Sequence, residues 1–295
     1  MSEKRYAVID IGSNSVRMLL QGRPGRMSAT TRLGTSLAQT GRLDTERAKH
    51  SAGVIQRFVR GAMMSGFTPI AYATSAVRDA ENRDEFLDLV KILTGLDVDV
   101  LSGEREAHYA YYGACGGKGG LIDIGGASMQ LVSESFVKSF PVGCVRGKDI
   151  ALELVKGDSD YPAQRAALGD YLSALTAPYA QELENTCFEP CTGVGGTITA
   201  LCALSVDLHA PNKQIGDGAT LTREKLEELI GVLVEIGSGR SQIGVLSSRH
   251  DVILYGAALL ARAMDMLDLG SVTASLRDGL DGYLDAAVRG ELNGV

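Results

Sequence analysis

The sequence lacks any apolar run that approaches the roughly 20 residues of a membrane-spanning helix. It also lacks the pattern of a signal peptide, since the opening residues MSEKRYAVID run into strand-like sequence almost at once. These two absences lead us to expect a cytoplasmic protein with no membrane partner.

An excess of positive charge is also lacking. The chain has 29 Lys and Arg against 36 Asp and Glu, for a formal net charge of −7. Broad nucleic-acid binding usually needs a basic face, so we expect no nucleic-acid partner. A small anionic substrate remains compatible with this charge, because a few local cations and a metal can hold phosphates.

Cysteine and histidine are too few and too scattered for a ligand cluster. The five cysteines form no C-x-x-C pair, and the four histidines lie far apart in the sequence. This distribution favours buried thiols over a redox or metal site, and it argues against a histidine-rich metal centre.

What the sequence has is a repeat. The letters IDIG occur at 9–12 and again at 122–125, each after an apolar run and each followed by a serine, Ser15 or Ser128. A chain of 295 residues with 45% hydrophobic and 22% charged residues can hold two ordinary domains or one large domain. The repeat favours a duplicated domain whose halves face each other across a phosphate.

Periodicity and turn residues predict an α/β protein. For the first half we predict strands at 5–10, 15–21, 26–33, 69–73 and 98–101, with helices that begin at Asp44 or Thr45, at Asn82 and at Ser102. A glycine-rich boundary at 116–120 divides the predicted domains, 1–118 and 119–295. For the second half we predict strands at 121–124, 129–133, 135–142 and 191–194. We also predict helical sequence over 146–186, interrupted near 157–162, a helix that begins at 195, and three further helices at 221–236, 250–268 and 276–289.

The first turn offers several groups that bind phosphate. Asp10, Gly12, Ser13, Asn14 and Ser15 combine a carboxylate, two hydroxyls, an amide and free backbone N–H groups. Glycine allows close approach of an anion, and successive N–H groups form an anion-binding nest. A hairpin turn with solvated side chains would explain one copy alone. The presence of two copies favours the phosphate site.

The second turn contains Asp123, Gly125, Gly126 and Ser128. An aspartate that faces a phosphate cleft usually serves Mg²⁺, because hard oxygen ligands suit this ion. The alternative is an aspartate that only hydrogen-bonds its turn.

A third glycine-rich segment, Gly195-Gly196-Thr197, lies where a strand passes into a helix. Helix N-termini favour anions through free N–H groups and the helix dipole. Close packing of strand on helix is the alternative explanation.

Two further segments could face the ligand crevice of an α/β domain. Glu106 lies in a predicted first helical turn, where it could deprotonate a water or merely offset the helix dipole. Thr74, Ser75 and Arg78 follow a predicted strand, and the Arg78 guanidinium could clamp a phosphate or form a surface salt bridge. Arg17, Arg146 and Arg277 are weaker candidates for the same role.

Together these segments resemble the exopolyphosphatase and guanosine pentaphosphate phosphohydrolase family (Ppx/GppA) of the actin-like ATPase superfamily. The matching segments, in family order, are YAVIDIGSNSVRMLL, RLGTSLAQTGRL, ATSAVRDAENRDEF, SGEREA, LIDIGGASMQLV, GVGGTITAL, RHDVILYGAALL and SLRDGL. The resemblance implies two ribonuclease-H-like domains with a cleft between them. It also implies a last helix, at about 280–292, that packs back on the first domain.

The resemblance further implies an activity, Mg²⁺- or Mn²⁺-dependent release of terminal orthophosphate from inorganic polyphosphate or pppGpp. Matched by motif, Glu106 is the general base, and Asp123 with Gln130 holds the metal. The phosphate-binding residues implied are Asp10, Gly12, Ser13, Asn14, Ser15, Thr74, Ser75, Arg78, Gly125, Gly126, Ala127, Ser128, Gly195, Gly196 and Thr197. The chain resembles the short, two-domain members, and it leaves open whether the protein forms a homodimer.

Two departures from the family pattern bear on activity. The family's usual DIGGGSTEL reads DIGGASMQL here, so Ala127 replaces a glycine and Gln130 replaces the glutamate expected at the metal. An amide oxygen still ligates, but one negative charge is missing and metal affinity should fall. The alternative function is therefore a weak or inactive protein that binds polyphosphate or (p)ppGpp. A kinase of the wider superfamily is a third and weaker hypothesis.

Overall fold

A computed structural model describes residues 4–35, 37–156 and 160–292, which form two sheets with helices on both faces. The first sheet has the order β3-β2-β1-β4-β5. Its strands are β1 (Tyr6–Ile11), β2 (Ser15–Leu20), β3 (Arg26–Thr30), β4 (Thr68–Ala73) and β5 (Val98–Val100). Strands β1, β2 and β3 are antiparallel, whereas β1, β4 and β5 run parallel.

The helices of the first half are α1 (Leu37–Thr40), α2 (Thr45–Met64), α3 (Ser75–Arg78), α4 (Arg83–Thr94) and α5 (Gly103–Cys115). Helix α2 begins where predicted, because the Asp44 side chain caps it by accepting from the Arg47 N–H at 2.9 Å. The apolar faces of α2 and α4 cover one side of the first sheet.

The second sheet repeats the first and adds one edge strand, in the order β10-β11-β9-β6-β7-β8. Its strands are β6 (Gly120–Ile124), β7 (Met129–Val132), β8 (Val137–Phe140), β9 (Cys191–Val194), β10 (Thr220–Thr222) and β11 (Ser271–Ala274). The antiparallel set β6-β7-β8 corresponds to β1-β2-β3, and the parallel strands β9 and β11 correspond to β4 and β5.

The helices of the second half are α6 (Cys144–Leu154), α7 (Tyr161–Thr176), α8 (Ala180–Glu184), α9 (Gly195–Val206), α10 (Arg223–Ile236), α11 (Ile253–Met266) and α12 (Gly279–Arg289). The sequence prediction missed β10 and β11, because strands of three and four residues are too short to show an alternating pattern. The predicted helix over 276–289 was wrong at its start, since Asp278 is the N-cap of α12. Of the predicted interruption near 157–162, residues 157–159 lie outside the described residues.

Helices α5 and α12 each cover the sheet of the other half. Helix α5 packs on the second sheet, where Ala107, Ala110 and Tyr111 contact residues of β6, β7 and β9. Helix α12 packs on the first sheet through a cluster that contains Leu280 and Tyr283. The two helices therefore lie between the sheets and join the halves.

Glycines set the spacing where α5 and α12 cross. A Cβ added to Gly113 would lie 2.2 Å from the Asp278 carbonyl oxygen, and one added to Gly282 would lie 2.0 Å from the Tyr109 carbonyl oxygen. Only glycine allows this approach, because no other residue lacks a Cβ.

Within the described residues, no helix is both long and apolar enough to cross a membrane.

Candidate active site

The two repeated turns have the same geometry. The Gly12 N–H donates to the Ser15 carbonyl at 3.1 Å, and the Gly125 N–H donates to the Ser128 carbonyl at 3.0 Å. Each turn therefore closes a hairpin, β1-β2 or β6-β7, and places an aspartate on the strand that enters it. The internal repeat read from the sequence is a repeat of structure.

The turns meet across the cleft between the halves. A Cβ on Gly126 would lie 2.9 Å from the Ser13 Cβ and 3.5 Å from the Asn14 nitrogen. The third glycine segment adjoins them, since a Cβ on Gly195 would lie 2.7 Å from Asp123 Oδ1. Gly195 also has φ +85°, a conformation that favours glycine. All three segments thus border one space.

Most residues singled out in the sequence line this cleft. They are Asp10, Gly12, Ser13, Asn14, Ser15, Thr74, Ser75, Glu106, Asp123, Gly125, Gly126, Ser128, Gly195, Gly196 and Thr197. Arg78, Ala127 and Gln130 are not among the lining residues. The weaker candidates Arg146 and Arg277 lie outside it too, paired with Asp79 at 2.8 Å and Asp285 at 3.2 Å.

Arg78 contacts the cleft through Glu106. Its Nη1 donates to Glu106 Oε2 at 3.1 Å and to the Leu101 carbonyl at 3.0 Å, while Nε donates to Asp79 Oδ1 at 3.2 Å. These three acceptors hold the Arg78 guanidinium against the Glu106 carboxylate. The arrangement is typical of a positioning group.

Glu106 is held in the first turns of α5, where its N–H donates to the Ser102 carbonyl at 2.9 Å. Burial raises the pKa of Glu106 to about 7, although Arg78 acts in the opposite direction. The carboxylates of Asp10 and Asp79 add to the increase. A carboxylate with this pKa can accept a proton near neutral pH.

The two repeated aspartates differ in their surroundings. Asp10 lies opposite Arg17 in the β1-β2 register, and Arg17 Nε donates to Asp10 Oδ2 at 2.8 Å. Asp123 lies opposite Gln130, which carries no charge. Burial and the nearby carboxylates of Asp278 and Glu106 together raise the pKa of Asp123 to about 8, so its ionised form favours an added cation.

Several lining residues escaped the sequence analysis or received little weight in it. They include Arg17, Tyr72, Lys213, Arg249 and Asp278. Arg249 and Asp278 lie in segments that match the family, RHDVILYGAALL and SLRDGL, so a signal was present for them. Nothing in the sequence marks Lys213, which reaches the cleft from a 3-10 turn at Lys213–Gly216.

Asp278 joins α12 to the first sheet at the edge of the cleft. Its carboxylate accepts from Arg17 and, at 2.8 Å, from Arg26. Burial alone would raise the pKa of Asp278, but the two guanidinium groups and the Leu280 N–H hold it well below its usual range. Asp278 is therefore ionised and paired at neutral pH.

Lys213 and Arg249 have no such partner. Among the described residues, neither side chain makes a hydrogen bond or salt bridge, and the Nε atom of Arg249 is buried. Burial lowers the pKa of Lys213 to about 8 and also lowers that of Arg249. A half-buried cation without a partner is costly, and an anion in the cleft would relieve that cost.

The donor set fits a magnesium ion that is shared with phosphate. Asp10 Oδ1 is buried without a hydrogen-bond partner, and Asp123 adds a second carboxylate. The described part of the chain contains no group of three or more His, Cys, Asp or Glu placed to hold a metal. Mg²⁺ commonly takes one or two carboxylates and fills its other positions with water and substrate phosphates, so two aspartates suffice.

Two ribonuclease-H-like halves with glycine turns on facing sides of a cleft define a protein of the actin-like ATPase class. Within that class, this chain belongs to the Ppx/GppA phosphatase family, whose profile matches residues 24–285. It is therefore a phosphohydrolase, and the fold predicted from the sequence is confirmed.

Individual relatives support this assignment. Exopolyphosphatase 1 of Mycobacterium tuberculosis is 30% identical over 304 residues, which cover 94% of this chain and 87% of that protein. Guanosine-5'-triphosphate,3'-diphosphate pyrophosphatase of Vibrio atlanticus is 28% identical over 95% of this chain, but the match spans 59% of that longer protein. The crystal structure of the Aquifex aeolicus family member superposes with a TM-score of 0.76 at 27% identity and covers 99% of each chain.

Proposed function

We propose that this enzyme releases terminal orthophosphate from inorganic polyphosphate, from pppGpp, or from both. The observation that carries the proposal is the pair of unpartnered cations, Lys213 and Arg249, in a cleft bordered by three glycine segments. Linear phosphate chains present several closely spaced negative charges and few other features, so such a cleft suits them. The names of the Mycobacterium and Vibrio relatives support the same two substrates.

Glu106 would act as the general base. Its carboxylate faces the cleft, its pKa of about 7 suits proton transfer at neutral pH, and Arg78 orients it. In this role it takes a proton from the water that attacks the terminal phosphorus, while the bridging oxygen of the next phosphate leaves with the electron pair.

The repeated turns and Asp123 would hold the phosphates. Ser13, Asn14 and Gly126 line the space between the halves, where phosphate oxygens would accept from their backbone N–H groups. Asp123 and Asp10 would hold Mg²⁺, or Mn²⁺ in its place, which when bound neutralises charge on the phosphate oxygens. The sequence added Gln130 to this set, but the metal proposal rests on the two aspartates because Gln130 does not line the cleft.

A protein that only binds these anions is the less favoured alternative. It would not need a half-buried glutamate of raised pKa, oriented by an arginine, at the edge of the anion site. The cytoplasmic location and the absence of nucleic-acid partners stay predictions, and so does homodimer formation.

Phosphate release measured with polyphosphate, pppGpp and ATP, each with Mg²⁺ or Mn²⁺, tests the proposal. We expect release from at least one of the first two substrates at a kcat/KM well above that for ATP. Tight binding of polyphosphate without any release would favour the alternative. Absence of both binding and release would contradict the phosphate site itself.

A further inference from the structure

Four buried polar side chains form a chain of hydrogen-bond contacts that leads to the cleft. Gln130 Nε2 lies 3.0 Å from Ser128 Oγ, Ser128 Oγ lies 3.5 Å from Ser75 Oγ, and Ser75 Oγ lies 3.2 Å from Ser13 Oγ. None of these residues is more than 4% exposed. The chain begins on β7 of the second sheet and ends in the first phosphate turn, so it links the two halves.

The amide orientation of Gln130 follows from its neighbours. The Nε2 group has two hydrogens and two acceptors, Ser128 Oγ at 3.0 Å and Ser139 Oγ at 3.2 Å, while Oε1 is buried without a partner. The flipped amide would leave two buried donors unpaired in place of one acceptor. Buried donors without partners are rarer than buried acceptors without partners, so the orientation with Nε2 toward the serines is favoured.

A donor at one end favours one direction for the hydroxyls that follow. Because Ser128 Oγ accepts from Gln130, its own proton is free to donate to Ser75. When Ser75 accepts from Ser128, its own proton is available to Ser13, and the Ser13 proton is then left to donate into the cleft. A hydroxyl that presents its proton suits a phosphate oxygen, whereas one that presents only lone pairs repels it.

We propose that Gln130 is a positioning residue that acts as a hydrogen-bond donor and directs the Ser13 hydroxyl toward bound phosphate. This role differs from metal ligation, which would use the amide oxygen. The glutamate usual in the family is an acceptor, and at this position it would reverse the chain, because Ser128 and Ser139 would then donate to it.

The inference rests on the proposed function, and binding in the absence of metal tests it separately. We would measure tripolyphosphate binding by calorimetry, without divalent ions, for the wild type, Gln130→Met, Gln130→Glu and Ser133→Ala. Gln130→Met keeps the volume but removes the donor, so tripolyphosphate should bind about fivefold more weakly, the effect of one hydrogen bond. Ser133→Ala removes a buried hydroxyl that accepts from the Ser135 and Phe136 N–H groups and does not contact Gln130, so this variant should bind within twofold of the wild type.

Gln130→Glu separates the two roles of this residue. Under our proposal, metal-free tripolyphosphate binding falls at least as much as in Gln130→Met. If Gln130 serves the metal instead, metal-free binding in Gln130→Met equals that of the wild type, and Gln130→Glu raises Mg²⁺ affinity. That result would overturn the inference while leaving the proposed function intact.

A double-mutant cycle shows whether Gln130 acts through Ser13. Ser13→Ala removes the terminal hydroxyl, so the double variant Ser13→Ala/Gln130→Met should bind no more weakly than Ser13→Ala alone. If the losses of affinity in the two single variants multiply in the double variant, the inference is overturned. Thermal unfolding of each variant shows that the comparison is made on folded protein. A wild type that binds no tripolyphosphate would overturn both this inference and the phosphate site.

Discussion

Arg17 lies directly opposite Asp10 in the register of β1 and β2, and its guanidinium donates to one carboxylate oxygen of that aspartate. The equivalent pair in the second half is Asp123 and Gln130. Asp10 therefore has a cationic side chain opposite it on the neighbouring strand, whereas Asp123 does not. This difference predicts which of the two depends on added metal.

Asp123→Asn should lose metal-dependent activity. Without the Asp123 carboxylate, Asp10 is the one proposed ligand that remains, and its second oxygen is taken by Arg17. We expect phosphate release to fall by at least about 100-fold and the rise in Tm on addition of Mg²⁺ to disappear. Asp97→Asn, at an exposed carboxylate, is the control. A full Mg²⁺-induced Tm shift in Asp123→Asn would place the metal elsewhere.

Glu106→Gln should abolish most of the hydrolysis and leave substrate binding nearly unchanged. Loss of a general base lowers kcat by roughly 100-fold to 10,000-fold, whereas the cations that bind phosphate remain. Glu104→Gln is the matched control, because Glu104 lies in the same first turn but is exposed. If Glu106→Gln keeps more than a tenth of the wild-type kcat, another group is the base.

The pH dependence of kcat/KM should reflect Glu106. Its base form predominates above a pKa of about 7, so activity should rise with pH up to that value and then level off. Arg78 lowers this pKa, so Arg78→Met should move the rise to higher pH. Arg83→Met changes an exposed guanidinium and should leave the profile in place. A shift of Arg78→Met to lower pH would contradict the assignment.

Asp278→Asn should destabilise the fold. The substitution removes a buried carboxylate that pairs with Arg17 and Arg26, and breaking such a group typically costs about 3 kcal/mol of unfolding free energy. Asp285→Asn, on the same helix but in an exposed pair with Arg277, should cost less than about 1 kcal/mol. Urea unfolding of the two variants measures the difference.

The stabilisation by Asp278 should also depend on pH. Its pKa is lower in the folded protein than the ordinary value of 3.8, so the contribution is present above that value and is lost as the pH falls below it. Asp278→Asn should therefore lose less stability than the wild type when the pH is lowered through this range. If the free energy of unfolding falls equally with pH in both proteins, the assignment is contradicted.

Gly113→Ala should weaken the crossing of α5 and α12. Its Cβ would lie 2.2 Å from the Asp278 carbonyl oxygen, which forces the helices apart at a cost of about 1–3 kcal/mol or more. Gly61→Ala, in α2, is the matched control, because a Cβ there meets nothing within 4 Å. We expect Gly61→Ala to raise Tm slightly, since alanine favours helix more than glycine does. Equal effects of the two substitutions would refute the close crossing.

Local sequence was enough to predict the two hairpins and the turns that close them. The repeated IDIG letters, each with a glycine and a serine at fixed spacing, correspond to turns with the same backbone hydrogen bond. Helix starts with a capping side chain, such as Asp44, were also predictable. These features depend on residues that are neighbours in the chain.

Contacts between distant segments were not predictable in the same way. Lys213 reaches the cleft only because its 3-10 turn packs beside α9, and no local pattern indicates that position. The sequence predicted that Arg78 could clamp a phosphate. In the structure, the strand before Arg78 ends near Glu106, and the Arg78 guanidinium donates to the Glu106 carboxylate. The orientation of Gln130 likewise depends on Ser139, which is its partner across β7 and β8.

Because α5 covers the second sheet and α12 covers the first, the order of synthesis affects how the protein folds. When residues 4–118 have left the ribosome, the face of the first sheet that carries Val8, Ile70 and Tyr72 still has no cover, because Leu280 and Tyr283 have not been made. The first half therefore acquires its complete core only after almost the whole chain has been translated. A nascent chain that stalls before α12 exposes an apolar surface that chaperones would recognise.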